Sequence, residues 1–285
     1  MPTARPMREA DIPAVHELMG AAFGDLERRL GAKYAGPHPQ LAQTQIRFGR
    51  VLSTDPEGSF VAERDGRLVG CASSIVREGL WGLSMFIVDP AAQGTGVGRE
   101  LLGATVAYGD GCRGRVILAS RDHRAIGMYS RLGLEIHPSV SAQGTPRGLE
   151  SGDVRTGGAG DIPLTEEIDR AVRGAVHGAD LLAMLAGGQE LLVAPERGYA
   201  VRLGGTVRLL AAKDEQGAAD VLRGALARMQ AEGESANVEW ITARQQWAVP
   251  VCLEAGLRLT TTAGPVFTGG DVGRFHPYLP SGSYL

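Results

Sequence analysis

Two spacings of apolar residues alternate along this chain. Ile12, Val15, Leu18, Met19 and Ala22 recur at helical intervals behind Asp11 and Pro13, residues suited to the cap and first turn of a helix. Leu83 to Val88 is an almost unbroken apolar run, as expected of a strand covered on both faces, and Pro90 closes it. Helical spacing returns at Val97, Leu101, Ala104 and Tyr108. Val116 to Ser120 then reads as a strand and Ala125 to Leu134 as a helix stopped at Gly133. Residues 3 to 8 read as a first strand, and 40 to 52 as a helix behind the break Gly36-Pro37-His38-Pro39. Phe60 to Ala72 reads as a hairpin turning at Asp65-Gly66. Strands and helices in this alternation predict an α/β fold, of the α+β kind with a mixed sheet.

The pattern occurs twice. After a glycine- and proline-rich stretch from Pro138 to Gly160 that reads as a linker, Asp161-Ile162-Pro163 repeats Asp11-Ile12-Pro13 at an offset of 150. Further on, Leu118, Arg121, Ala125, Ile126, Gly133 and Leu134 match Ile241, Arg244, Ala248, Val249, Gly256 and Leu257 at an offset of 123. The second copy is therefore shorter by 27 residues, the difference of the two offsets. At 285 residues the chain suits two domains of about 150 residues each, and the predicted domains are 1–145 and 146–285.

Composition narrows the chemistry. A net charge of -3 gives no basic excess for nucleic acid. Three cysteines (Cys71, Cys112 and Cys252) without a C-x-x-C pair argue against a disulfide framework or zinc knuckle. No apolar signal core opens the chain and no run reaches a membrane span, so a cytoplasmic location is expected. The histidines fit no metal-ligand spacing.

Between the strand ending at Val88 and the helix from Val97 lie Gly94, Gly96 and Gly98. Glycines there permit unusual dihedrals and close approach to the backbone, while the free amides and positive dipole end of a helix face whatever binds. A pyrophosphate suits such a site. No Gly-Lys-Ser/Thr ending makes it a P-loop, and alternating glycines do not fit a dinucleotide fingerprint. A strand-helix turn without ligand remains the alternative.

The run Gln93-Gly94-Thr95-Gly96-Val97-Gly98 resembles the Gln/Arg-x-x-Gly-x-Gly/Ala signature of the GNAT superfamily of acyl-CoA-dependent N-acyltransferases. Ala125, Tyr129 and Gly133 resemble the second family pattern, with Leu134 in place of phenylalanine and Asp122 where asparagine is frequent. The resemblance implies two GNAT domains in tandem. The first would bind acetyl-CoA through Phe86, Ile87, Val88, Gln93, Gly94, Thr95, Gly96, Val97, Gly98, Arg99, Asp122 and Arg124, with Tyr129 as general acid and no metal. Arg121, Arg124 and Arg131 either meet the 3′-phosphate of the coenzyme or form a solvated face. The second copy would be degenerate, structural or a wall of the acceptor site. It carries Lys213-Asp214-Glu215-Gln216-Gly217 at the loop position, and Cys252, read as a buried thiol, at the tyrosine position.

The implied reaction is acetyl transfer to a primary amine of a small molecule or peptide, by direct attack, in a monomer or homodimer without nucleic acid or membrane. An amine of pKa near ~10.4 must lose a proton before attack, and the leaving thiolate must gain one. Relatives carry a basic glutamate where this chain has Gly82 and Ile117, which leaves Glu63 and Glu78 as candidate bases. Tyr34, His38 and Trp81 are candidate acceptor contacts, and the tail Phe275 to Leu285 reads as a docked segment. The alternatives are a non-catalytic acyl-CoA sensor, for which Tyr129 has no use, and a scaffold, which would have no need of the glycine loop.

Overall fold

The computed structural model describes residues 3–31, 39–150 and 152–284. Tyr34, His38 and Leu285 lie outside these residues. The N-terminal half begins with β1 (Thr3–Pro6), α1 (Ile12–Leu30) and α2 (Leu41–Thr54), then the meander β2 (Ser59–Arg64), β3 (Arg67–Arg77) and β4 (Leu80–Val88). Asp65 and Gly66, at φ 52° and 75°, make the predicted hairpin turn. It continues through α3 (Val97–Tyr108), β5 (Gly114–Leu118), α4 (His123–Ser130) and β6 (Glu135–His137).

The predicted linker conceals β7 (Val140–Gly144) and β8 (Arg155–Thr156). There follow α5 (Ile162–Arg173), α6 (Ala179–Ala186), β9 (Glu190–Ala194), β10 (Gly198–Leu203), β11 (Thr206–Ala212), α7 (Glu215–Ala231), β12 (Ala236–Ile241) and α8 (Ala248–Glu254). β13 (Arg258–Thr260), β14 (Val266–Gly270) and β15 (Tyr278–Leu279) complete the chain. No helix among the described residues is long and apolar enough to cross a membrane.

Two mixed sheets result. One runs β1-β2-β3-β4-β5-β14-β6 and the other, from its opposite end, β8-β9-β10-β11-β12-β7-β13. The order is the same in both once β14 and β7 are exchanged: β14 of the second half sits between β5 and β6, and β7 of the first half between β12 and β13. A boundary at 145/146 is thus crossed twice by strand pairing. The repeat also holds in side chains: Arg5 pairs with Asp11 at 2.8 Å and Arg155 with Asp161 at 3.0 Å, both six residues apart before the first helix of their half.

The exchange is accompanied by a shared core. Val51, Ile75, Leu80 and Val116 pack in one cluster with Ile168, Val172, Leu181, Leu209, Val266 and Tyr278. Beside it the buried carboxylate of Asp180 accepts from Arg50 at 2.8 Å and Arg77 at 2.6 Å, and Arg77 reaches Asp55 at 2.7 Å. Removing one partner would leave a buried charge uncompensated, which is costly.

Candidate active site

β4 and β5 are parallel neighbours only where Leu80 to Gly82 face Gly114 to Val116. β4 continues to Val88 and β5 to Leu118, so beyond these pairs the strands part. The edge of β4 that loses its neighbour offers backbone amides and carbonyls to an extended ligand. A cavity of about 970 Å³ fills this wedge and continues between the two halves.

The glycine loop forms one rim. Asp89 accepts from the Ala91 amide at 2.8 Å, holding a short turn over Pro90–Ala92. Gly94 and Gly96 then take φ of 78° and 96°. A Cβ at either would meet nothing within 4 Å, so glycine is needed for the backbone angle rather than for space. Gly96 caps α3 without a side chain, and while the Arg99 amide already bonds to the Gly96 carbonyl, the Val97 and Gly98 amides are left for a ligand.

The opposite rim is α4. Asp122 caps it, accepting from the Arg124 amide at 3.0 Å, and pairs with Arg124 at 2.8 Å and with Arg29 of α1 at 3.0 Å. Burial alone would raise this carboxyl, but Arg124 and Arg29 outweigh it and hold it at about 2. Arg124 also donates to Gln93 Oε1 at 2.5 Å, and Gln93 to the Val88 carbonyl at 3.2 Å, which ties α4 to the loop.

Tyr129 lines the cavity from α4. Its ring stands edge-on to Phe86 of β4 and to Phe267 of β14. Burial, with the nearby charge of Asp122, pushes the phenol well above its ordinary value, so it stays protonated at neutral pH. Its hydroxyl makes no hydrogen bond with a described residue. The tail closes the third side: Ser84 Oγ donates to the Ser283 carbonyl at 2.6 Å, and Gly282, Ser283 and the buried Tyr284 line the cavity.

The second half is built differently at each corresponding point. β11 and β12 pair at Thr206–Asn237 and Val207–Val238 and then part, but β15 bonds to β11 at Leu210–Leu279 and Ala211–Tyr278, inside the gap. The start of α7 is capped from within, Asp214 accepting from the Gly217 amide at 2.7 Å, with Glu215 alongside. Cys252 is fully buried and burial pushes its thiol up to about 12, the state of an inert packed cysteine.

Residues 16–134, which carry the loop, the wedge and Tyr129, match the profile of the family described as Acetyltransferase (GNAT) family. That match places residues 16–134 with the GNAT acetyltransferases. Over 88 residues the chain is 35% identical to a mycothiol acetyltransferase of Streptomyces avermitilis, a match covering 29% of each protein. A crystal structure of a candidate acetyltransferase from Pyrococcus horikoshii has the same fold, with TM-score 0.79 at 17% identity over 99% of this chain and 95% of that one. A tandem GNAT protein from the clavulanic acid biosynthesis pathway superposes with TM-score 0.59 at 13% identity, over 95% of this chain and 99% of its own. The fold of that tandem protein therefore extends over this chain as well.

Within the GNAT domain, Phe86, Ile87, Val88, Gln93, Gly94, Gly96, Gly98, Arg99, Asp122, Arg124 and Tyr129 all line the cavity. Thr95 and Val97 do not. Thr95 turns back to the Ala92 carbonyl at 2.6 Å and accepts from Arg64, while Val97 is a buried core residue packed with Leu101. Trp81 is core as well, its Nε1 donating to the Thr105 carbonyl at 3.0 Å. Glu63 and Glu78 lie elsewhere: Glu63 faces Arg5, and Glu78 pairs with Arg170 and accepts from the Val176 amide. The expectation that either is the base is corrected accordingly. Sequence reasoning passed over Phe267 and Glu239 of the second half, both close to the first half's site or lining its cavity. For Glu239 a signal existed: a lone acid inside the strand Val238-Glu239-Trp240-Ile241.

Proposed function

We propose that this protein is an N-acetyltransferase that moves the acetyl group of acetyl-CoA to a primary amine, with one coenzyme bound in the N-terminal half. The observation that carries this is the placement of Tyr129 and the Gly94–Gly96 loop on the same cavity, at the parting of β4 and β5. Open space at the left-handed Gly94 and Gly96 and uncapped amides at the start of α3 fit a pyrophosphate. The free edge of β4 from Leu83 to Val88 fits the amides of a pantetheine arm. Arg99, on the first turn of α3, adds charge to the same rim.

The neutral amine nitrogen attacks the thioester carbonyl, forming the C–N bond and giving up one proton to solvent, and the C–S bond breaks. Tyr129 gives its proton to the departing sulfur and is reprotonated from solvent. The phenol is a weaker acid than a thiol of pKa about 8.5, so it keeps its proton until negative charge develops on the departing sulfur, and the transfer accompanies cleavage of the C–S bond. Residues 146–285 complete the cavity wall through Glu239, Trp240 and the tail, and hold no second coenzyme.

A free-thiol release assay with acetyl-CoA over a panel of primary amines tests this function. Turnover with at least one amine is expected. Tight binding of coenzyme A without turnover on any amine would favour an acyl-CoA sensor.

A further inference from the structure

The cavity wall contributed by the second half carries its own chemistry. In β12 the pairing with β7 jumps from Val238–Ala142 to Ile241–Val140, so Glu239 and Trp240 bulge from the ladder, and Trp240 takes φ 54°. A bulge re-aims side chains, and a bulky residue held at positive φ is a strained arrangement that the surroundings must maintain. Both side chains line the cavity that Tyr129 lines. Next along β11 and β12 from the last pair, Val207–Val238, come Arg208 and Glu239, whose charges act on each other, and Arg208 lines the cavity too.

These opposite charges act on each other without closing into an ion pair. Neither Glu239 nor Arg208 forms an ion pair with a described residue, although they are neighbours and half-buried. On the same cavity, Trp240 Nε1 and Gln189 Oε1 are buried without a hydrogen-bond partner among the described residues. Buried polar atoms are almost always paired in a folded protein, so a cluster of unpaired ones on a cavity marks a place where a polar ligand completes the set.

We propose that the second half supplies the acceptor side of the reaction: Glu239 takes the proton of the acceptor amine, and Arg208 holds an acidic group carried by the same molecule. The acceptor class is then an amine that also bears a carboxylate or similar anion. This rests on the acetyl-transfer function proposed above. The acceptor enters as R–NH₃⁺; one proton passes to Glu239 and on to solvent, freeing the lone pair that forms the C–N bond. A second nitrogen proton is lost as the amide forms, and the thiolate gains one from Tyr129, so one proton is released overall.

Three carboxylates line the cavity, Glu27, Asp122 and Glu239. Asp122 is committed to Arg29 and Arg124 and is held at about 2, too weak a base for an ammonium. Burial raises the Glu239 carboxyl above its ordinary range, against the opposing pull of Arg208 and of Asn237 on its own strand. From β7, Gln143 faces the same strand, hydrogen-bonded to Asn237 at 2.8 Å, and the tail places Gly282 under the Trp240 ring. The raised value brings the carboxylate closer to the amine it must deprotonate.

The test uses the full chain and matched amines that differ only in the acid: 4-aminobutanoate against butylamine, and L-lysine against cadaverine. The acid-bearing member of each pair should have kcat/KM higher by about tenfold or more, the scale of one charged hydrogen bond. Arg208→Gln should raise KM for that member and shrink the preference. Glu239→Gln should lower kcat by about 10²- to 10⁴-fold and remove the acidic limb of the kcat/KM profile, with the affinity for coenzyme A alone unchanged in calorimetry. Wild-type kcat with an intact acidic limb in Glu239→Gln overturns the assignment, as does transfer of the loss to Glu27→Gln. Equal kcat/KM within both pairs overturns the acidic acceptor while leaving acetyl transfer standing. A wild-type chain that turns over no amine removes the acetyl-transfer function, and this assignment with it.

Discussion

Phe267, a residue of the second half, stands edge-on to Tyr129 of the first, their ring centroids 5.6 Å apart at an interplanar angle of 76°. The general acid proposed for one half is therefore oriented by a strand of the other.

Replacing Tyr129 by phenylalanine removes only the hydroxyl and keeps both ring contacts. Turnover should fall by about 10²- to 10⁴-fold with coenzyme affinity nearly unchanged. Because burial raises the phenol, the wild-type alkaline limb due to Tyr129 should lie above the ordinary value of ~10 and be absent from the variant. The loss should shrink with an acyl thioester of a more acidic thiol, whose thiolate leaves unaided. Steady-state kinetics across pH decide the matter; wild-type rates in the variant would remove Tyr129 from the mechanism.

One chain should bind one coenzyme A. In the second half β15 fills the gap between β11 and β12, and Asp214 caps α7 where α3 is left open by Gly96. Titration calorimetry should return a single site, and two equivalent sites would contradict it. Gly96→Asp should abolish that site, since φ 96° strains any side chain and the new carboxylate meets a pyrophosphate.

Asp122 lends the fold a pH dependence of known sign. Its carboxyl is lowered to about 2 in the folded chain, against ~3.9 unfolded. The stabilisation is therefore complete above pH ~4 and lost as pH falls through about 2. Asp122→Asn keeps a capping side chain but not the charge, and should cost about 1 kcal/mol at pH 7, allowing for partial solvent screening. Denaturant melts of both proteins should converge between pH ~4 and ~2; a constant difference would mean the ion pairs contribute nothing.

Truncation before Tyr284 should lower turnover without unfolding the chain. Tyr284 is buried and lines the cavity, whereas Ser84 holds the preceding residue through the Ser283 carbonyl. Far-ultraviolet circular dichroism should be preserved while thiol release slows. Unchanged turnover would reduce the tail to edge cover.

Much of the site was legible because it is local. The strand to Val88, the glycines and the helix from Val97 are consecutive, so their spacing alone shows their order, and their dihedral needs are written in the residue type. The repeat was legible for the same reason, as Asp11-Ile12-Pro13 and Asp161-Ile162-Pro163 each mark a helix start. What was hidden is non-local. Val140 to Gly144 lies among glycines and prolines that read as a linker, and only its pairing with Ala236 to Ile241 makes it a strand. Glu239 reaches the cavity through a bulge, which shifts the alternation of faces by one residue and defeats any prediction from period. Thr95 and Val97 show the limit of a motif: it marks a loop, but does not say which side chains turn inward.

The reciprocal placement of β7 and β14 also orders events during synthesis. The first sheet cannot close between β5 and β6 until Val266 to Gly270 has left the ribosome. Until then the half that carries the glycine loop and Tyr129 is an unfinished sheet, with two edges waiting for a strand encoded far downstream of them. Cutting the gene at the apparent seam between the copies would then yield two fragments, each holding a strand that belongs to its partner and each lacking one of its own.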